Sequence, residues 1–163
     1  RYLIGDVIKF KSKAMSEIVI TGRTKHFLSI CGEHLSLENM NRAVEILESE
    51  LNIEIREFTV SGIKHGTMFA HQWYLGCDDE INPEIARDKI DGSLKILNDD
   101  YRVERIAAIR DVFVDILPSE AFTNWMKIHG KEGGANKFPR VLNKDLHRQW
   151  ADYLHEYNYK ERK

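Results

Sequence analysis

The chain has 163 residues, of which 42% are hydrophobic and 31% are charged, a composition typical of a globular domain. Its formal net charge of -2 provides no basic excess that would favour a nucleic-acid partner. No apolar run approaches the roughly 18 residues of a membrane span, and two cysteines are too few for a disulfide scaffold. We therefore expect a cytoplasmic protein with no nucleic-acid or membrane partner. We also expect no metal site, because the histidines and cysteines show no metal-ligand spacing.

The first part of the chain has the composition of β-strands. Residues 5–10, 17–22 and 27–30 together predict a small antiparallel meander. The sequence starts at Arg1, without an initiator methionine, and strand-type residues follow almost at once. Because domains usually begin with a polar, weakly ordered lead-in, we expect the chain to be part of a longer protein.

Amphipathic helices and a hairpin follow. Ser36 is a suitable N-cap for a helix over 36–51, whose apolar residues recur every three or four positions. After Tyr101 we expect the chain to be extended. The other predicted elements are hairpin strands over 53–61 and 66–76 joined near 62–66, a helix opening at Asn82 and Pro83, a strand over 112–117, a helix from Pro118 closed by Gly130, a glycine-rich loop over 131–139, and a last helix over 144–157.

This order of elements predicts an α+β fold. Strands in hairpins, with helices between and after them, indicate a small, mostly antiparallel sheet packed with about four helices. The best internal boundary lies where the opening strands give way to the main body. We therefore predict two units, a β-hairpin over 1–22 and an α+β domain over 23–163.

Three residues could carry chemistry, although they form no complete catalytic set. Asp6 follows a glycine at the start of a strand, and its carboxylate could accept hydrogen bonds from the two hydroxyls of a ribose. Arg23 offers a permanently charged fork to a nucleotide or a carboxylate. Lys137 follows a glycine-rich stretch and precedes Pro139, so it could reach a phosphate as a point charge. Taken singly, each is more often an ordinary turn or surface residue.

Taken in order, these segments resemble the C-terminal region of the acyl-adenylate-forming enzymes. The matching stretches are Y-L-I-G-D at 2–6, G-R-T-K at 22–25, the turn I-C-G-E-H at 30–34 and the loop lysine Lys137. Two distal stretches, L-N-D-D-Y-R at 97–102 and N-K-F-P-R at 136–140, are similar to the auxin-responsive family of acyl acid amido synthetases. We expect a bacterial member of that family. Leu3 departs from the pattern, because the family usually has Arg there.

The resemblance implies that the chain is the C-terminal lid of an ATP-dependent ligase. Such an enzyme activates a carboxylic acid as acyl-AMP and then joins it to an amino acid. The implied roles are ATP ribose binding for Asp6 and Arg23, a hinge at Lys25, catalysis of adenylation by Lys137, and a turn for the second step formed by Gly32, Glu33 and His34.

The resemblance also implies what lies outside these 163 residues. ATP and Mg²⁺ would be bound mainly by an N-terminal adenylation domain of the same polypeptide, so the fragment alone would be inactive. Two alternatives remain open: an enzyme with a thiol acceptor such as coenzyme A, and a stand-alone interaction module descended from such a lid. The acyl substrate, the acceptor amino acid, and the role of the helix over 144–157 are not readable from the sequence.

Overall fold

The computed structural model describes residues 6–23, 27–130, 137–157 and 159. Over these residues eight strands and five helices follow one another. They are β1 (Asp6–Ser12), β2 (Glu17–Arg23), β3 (Phe27–Leu28), β4 (Leu35–Ser36), α1 (Leu37–Leu51), β5 (Ile55–His65), β6 (Met68–Cys77), α2 (Pro83–Leu97), α3 (Asp99–Ala107), β7 (Ile109–Leu117), α4 (Ser119–Ile128), β8 (Val141–Leu142) and α5 (Lys144–Glu156).

The central sheet has four strands in the order β7-β6-β5-β8. Its middle is the antiparallel β5–β6 hairpin, with β7 added parallel to β6 and β8 parallel to β5. The predicted hairpin is confirmed, but its turn lies at 66–67 rather than near 62–66, and β5 runs on through Gly62. Gly66 has a φ of +62°, which glycine adopts readily, and this places the turn there.

The sheet separates two hydrophobic cores, one on each face. Because neighbouring strand residues point to opposite faces, Trp73 belongs to the first core and Tyr74 to the second. Helices α1 and α2 contribute buried side chains to the first core, whereas α4 and α5 contribute buried side chains to the second. The predicted α+β class is therefore confirmed, with five helices in the described ranges rather than four.

Two of the predicted elements are wrong. Segment β3 does not continue a meander, because β1 and β2 form their own two-stranded sheet and β3 pairs with β4 instead. The reason is burial: Leu28 and Leu35 both enter the first core, which draws this short pair onto the main body. The region after Tyr101 is not extended but lies in helix α3.

Asn98 connects two helices and explains why α3 forms. Its backbone N–H ends α2 by donating to the carbonyl of Leu94 at 3.0 Å. Its side-chain oxygen starts α3 by accepting from the N–H of Tyr101 at 2.7 Å. The acidic residues Asp99 and Asp100 then lie in the first turn, where they complement the helix dipole.

Replacing Asn98 by Ala should lower the free energy of unfolding of the chain by about 1–3 kcal/mol. The loss combines the helix cap with two tertiary hydrogen bonds from Nδ2, to His34 at 3.3 Å and to Asn39 at 3.2 Å. The matched control is Asn143→Ala, since Asn143 caps α5 by accepting from Leu146 N–H. Urea unfolding should give the larger loss for Asn98; equal losses would mean that the tertiary bonds contribute nothing.

Candidate functional site

The turn over 30–34 is organised around the carboxylate of Glu33. This side chain is 0% exposed, and its oxygens accept from the N–H of Ile30 at 2.9 Å and of Cys31 at 3.0 Å. Oε1 also lies 3.1 Å from Nε2 of the buried His71 on β6. The carboxylate therefore closes the turn on itself and ties it to the central sheet.

The backbone of this turn is left-handed at two positions. Gly32 has a φ of +118° and His34 a φ of 41°. The first value lies where residues with a Cβ are strained, so glycine is required at position 32. The result is a sharp bend that directs Glu33 inward while His34 stays exposed.

The hydrogen bonds of Glu33 also fix its charge. Burial by itself would raise the pKa of this carboxyl, but the hydrogen bonds from His71 and from the backbone of the turn outweigh it. The pKa of Glu33 is lowered to about 2, so the group is an anion at neutral pH.

The geometry around His71 assigns its tautomer. Its Nδ1 is buried with no hydrogen-bond partner in the described part of the chain. A proton on Nδ1 would be a buried donor with no acceptor, which is costly. A hydrogen on Nε2 can be donated to the carboxylate of Glu33, which only accepts, and Nδ1 is then left as an acceptor rather than as a donor.

A second set of hydrogen bonds holds the exit of the turn. Asn98 donates from Nδ2 to the carbonyl of His34 at 3.3 Å and to Oδ1 of Asn39 at 3.2 Å. The same Asn39 oxygen accepts from the backbone N–H of Ser36 at 3.1 Å, which completes the capping box of α1. The turn is thus held by β6 at its middle and by α3 at its end.

Tyr101 supports the turn from behind. Its ring centroid lies 5.5 Å from that of His71, and its hydroxyl donates to Asp91 at 2.8 Å. Asp91 also accepts from Arg105 Nε at 2.8 Å and from Lys95 Nζ at 2.7 Å. Burial opposes ionisation of Asp91, but these donors outweigh it and lower its pKa. The stretch over 97–102 therefore supplies two supports of the turn, Asn98 and Tyr101.

Lys137 is exposed and stands next to a well-anchored segment. Phe138 is buried in the second core, and the carbonyl of Pro139 accepts from the Thr59 hydroxyl at 2.7 Å. Arg140 lies over the ring of Phe58 at 4.3 Å and donates to its carbonyl at 2.9 Å. The loop residues 131–136, including Gly133 and Gly134, lie outside the described residues.

The structure relates the other predicted site residues only in part. The backbones of Asp6 and Arg23 lie opposite each other in the β1–β2 pair. Lys25 falls outside the described residues, between β2 and β3. The turn packs on the first-core face of the sheet through His71 and Ile30, whereas the neighbour of Lys137 is buried on the other face. The two predicted catalytic elements are therefore anchored to opposite faces of one sheet.

Two residues of the site, His71 and Asn98, were not among the predicted site residues. His71 lies in a hairpin strand, and the histidines show no metal-ligand spacing, so the sequence alone does not mark it. Glu33 itself was predicted as part of the turn, but its burial was not anticipated. A capping asparagine before two acidic residues is a readable signal for Asn98, whereas nothing local marks the partner of Glu33, 38 residues away.

Two further observations limit the chemistry of the site. No group of three His, Cys, Asp or Glu side chains within the described ranges could hold a metal ion. Burial, followed by the nearby Glu33, raises the pKa of the Cys31 thiol to about 12. No helix in the described part of the chain is long and apolar enough to cross a membrane.

The charge of Glu33 should make folding stability depend on pH in acid. Its folded-state pKa of about 2 lies below the ordinary value of 4.5. Ionised Glu33 therefore stabilises the fold above pH 4.5, and this contribution is lost as the pH falls from 4.5 towards 2. Glu33→Gln should lower stability at pH 7 by about 1–3 kcal/mol and flatten this acid slope.

Urea unfolding of the chain at pH 7, 4 and 3 measures this effect. Glu45→Gln is the control, because Glu45 is an exposed carboxylate on α1 that pairs with the exposed Arg42. An unchanged acid slope in Glu33→Gln would contradict the assignment of a low pKa to Glu33.

Comparison with known proteins places this architecture in a family. The model of the GH3 family C-terminal domain matches residues 38–145. The fold is similar to that of "GH3.15 acyl acid amido synthetase", with a TM-score of 0.71 and 19% identity, over 93% of this chain and 29% of that one. It is also similar to "AtGH3.15 acyl acid amido synthetase in complex with 2,4-DB", with a TM-score of 0.66 and 20% identity, over 98% of this chain and 31% of that one.

The coverage and the sequence identity of these two matches limit what they show about the chain. The chain spans less than a third of the length of either solved structure. At such low sequence identity, the similarity shows the fold alone. A search of curated proteins finds no match. The family model, however, covers most of the chain, including α1 to α4 and the central sheet. The chain therefore belongs to the GH3 family and contains the C-terminal domain of that family.

Proposed function

We propose that the chain is the mobile C-terminal lid of an ATP-dependent ligase that adenylates a carboxylic acid and conjugates it to an amino acid. The observation that carries the proposal is the anchoring of Lys137 and the turn over 30–34 to opposite faces of one sheet, in a domain of this family. A lid that rotates could present first one face and then the other to a single active site.

Lys137 acts in the first step of the proposed reaction. The substrate carboxylate attacks the α-phosphorus of ATP, the bond to pyrophosphate breaks, and acyl-AMP forms. Negative charge builds on the α-phosphoryl oxygens as two anions meet, and a positioned ammonium stabilises it. The anchoring of Phe138 and Arg140 would limit the positions that the neighbouring Lys137 can reach.

The β1–β2 hairpin contributes to nucleotide binding in this proposal. Asp6 and Arg23, opposite each other in the backbone pairing, would bind the ribose of ATP. Residues 1–22 would belong with the preceding N-terminal adenylation domain, as the sequence predicts, and β2 extends one residue beyond them, to Arg23. Lys25, which follows β2 and precedes β3 in the sequence, would be the hinge on which the unit 23–163 turns.

The second step joins the acyl group to the amino acid. The amine attacks the acyl carbon, AMP leaves, and an amide bond forms. Rotation of the lid would withdraw Lys137 and bring Gly32, Glu33 and His34 to the reaction. Buried Glu33 serves to shape the turn, so groups on its exposed surface, such as His34, would face the substrates.

The remaining components of the reaction would come from the rest of the polypeptide. ATP and Mg²⁺ would be bound mainly by the N-terminal domain. The isolated chain would therefore be inactive, and the complete enzyme would work in the cytoplasm.

The test is carboxylate-dependent exchange of pyrophosphate into ATP by the complete gene product. Lys137→Ala should lower the exchange rate by about 10²–10³-fold, the usual effect of removing one donor to a developing charge. Lys144→Ala is the matched control, since Lys144 is an exposed lysine at the start of α5. It should leave the rate unchanged.

The other outcomes separate the alternatives. Exchange that survives Lys137→Ala would remove this lysine from the first step while keeping adenylation. No exchange with a broad panel of acids would favour a non-catalytic interaction module. Product analysis with amino acids and with coenzyme A, side by side, identifies the acceptor.

A further inference from the structure

A buried carboxylate paired with a buried histidine needs an explanation beyond stability. Removing such groups from water costs several kcal/mol, and an apolar pair of similar size is often as stable. Glu33 and His71 are both 0% exposed, so neither can touch a substrate in this conformation. The effect of the pair is geometric. The carboxylate of Glu33 accepts hydrogen bonds from the N–H groups of Ile30 and Cys31, and the bend at Gly32 is thereby directed outward.

The exit of the turn is held by separate contacts. Asn98 binds the carbonyl of His34, and the same side chain caps α3 through Tyr101 N–H. Tyr101 in turn packs beside His71. The middle and the end of the turn are thus held by β6 and α3, which also touch each other through His71 and Tyr101.

We propose that His71, acting through Glu33, and Asn98, acting through His34, are positioning residues for amide formation. Their role is to hold the exposed surface of the turn over 30–34 in the shape that the second half-reaction requires. The inference rests on the proposed function and deepens it by assigning two residues that do not contact substrate.

The two half-reactions should respond differently to loss of these residues. The segment that carries Lys137 is held by Phe138 in the second core and by Arg140 on Phe58. None of these contacts involves His71 or Asn98. Disturbing the turn should therefore spare adenylation, whereas general damage to the domain would impair both steps.

Asn98→Asp is the sharpest variant. Aspartate caps helices as well as asparagine does, so α3 should be retained and the loss of stability should be limited to the two hydrogen bonds from Nδ2. It cannot donate to the carbonyl of His34 as the amide does, because an ionised carboxylate only accepts hydrogen bonds. A second pair of variants acts at the other support: His71→Leu removes the donor to Glu33, and His71→Gln keeps an amide donor.

The two steps are measured separately on the complete gene product. Pyrophosphate exchange reports adenylation, and a single-turnover assay follows conjugation of preformed acyl-AMP after an amino acid is added. Asn98→Asp and His71→Leu should slow conjugation by about 10²-fold, the typical effect of a misplaced group, with exchange within about twofold of wild type. His71→Gln should recover part of the lost rate.

The control is Tyr153→Phe, which removes one buried hydrogen bond, to the carbonyl of Ala121 at 3.0 Å, on the opposite face of the sheet. It should leave both rates unchanged. Equal loss of both steps in the Asn98 and His71 variants, or loss of neither, would overturn the inference. A wild-type protein that forms no acyl-AMP would instead overturn the proposed function, and the inference with it.

Discussion

The antiparallel pairing of β5 with β6 is the interaction on which the rest of the structure depends. These are the two longest strands among the described residues. Strand β6 carries side chains into both cores, whereas the apolar side chains of β5 enter the first core. Both outer strands are added to this hairpin in parallel, at β7 and β8. Parallel neighbours need long crossover connections, which explains why α2 and α3 precede β7 and α4 precedes β8.

This arrangement gives the domain two chemically different faces. On the first face, charged and polar side chains lie among apolar ones, as in the Glu33–His71 pair and in the cluster of Asp91 with Tyr101 and Arg105. The second face is packed mainly by aromatic rings around Trp150, including Phe122 at 5.0 Å and Phe138 at 4.9 Å. The polar face shapes a turn, whereas the aromatic face anchors the segment next to Lys137.

The polar groups of the first face specify geometry more than they add stability. A buried charge gains little net free energy from its partners, because it loses its hydration. Hydrogen bonds to a carboxylate are directional, however, and three separate donors fix the position of Glu33. A turn held in this way keeps its shape when the lid moves as a rigid body, which the proposed two-step reaction requires.

The sequence by itself determined those elements whose signals are local. Ser36, Asn82 with Pro83, and the apolar periods of α1, α2 and α5 predicted these helices close to their observed bounds, because caps and periodicity act within a few residues. The order of the short motifs likewise identified the family. The nine-residue helix α3 was missed because it is too short and polar to show a clear apolar period.

Only the tertiary structure decided which distant residues meet. The pairing of β3 with β4, the partnership of Glu33 with His71, and the anchoring of Phe138 against Trp150 all depend on burial in a shared core. Burial stabilises any apolar residue and does not specify which residue it contacts. A hydrogen bond between residues far apart in the chain leaves no local pattern in the sequence. For that reason the turn could be predicted from its residues, whereas the supports that hold it could not.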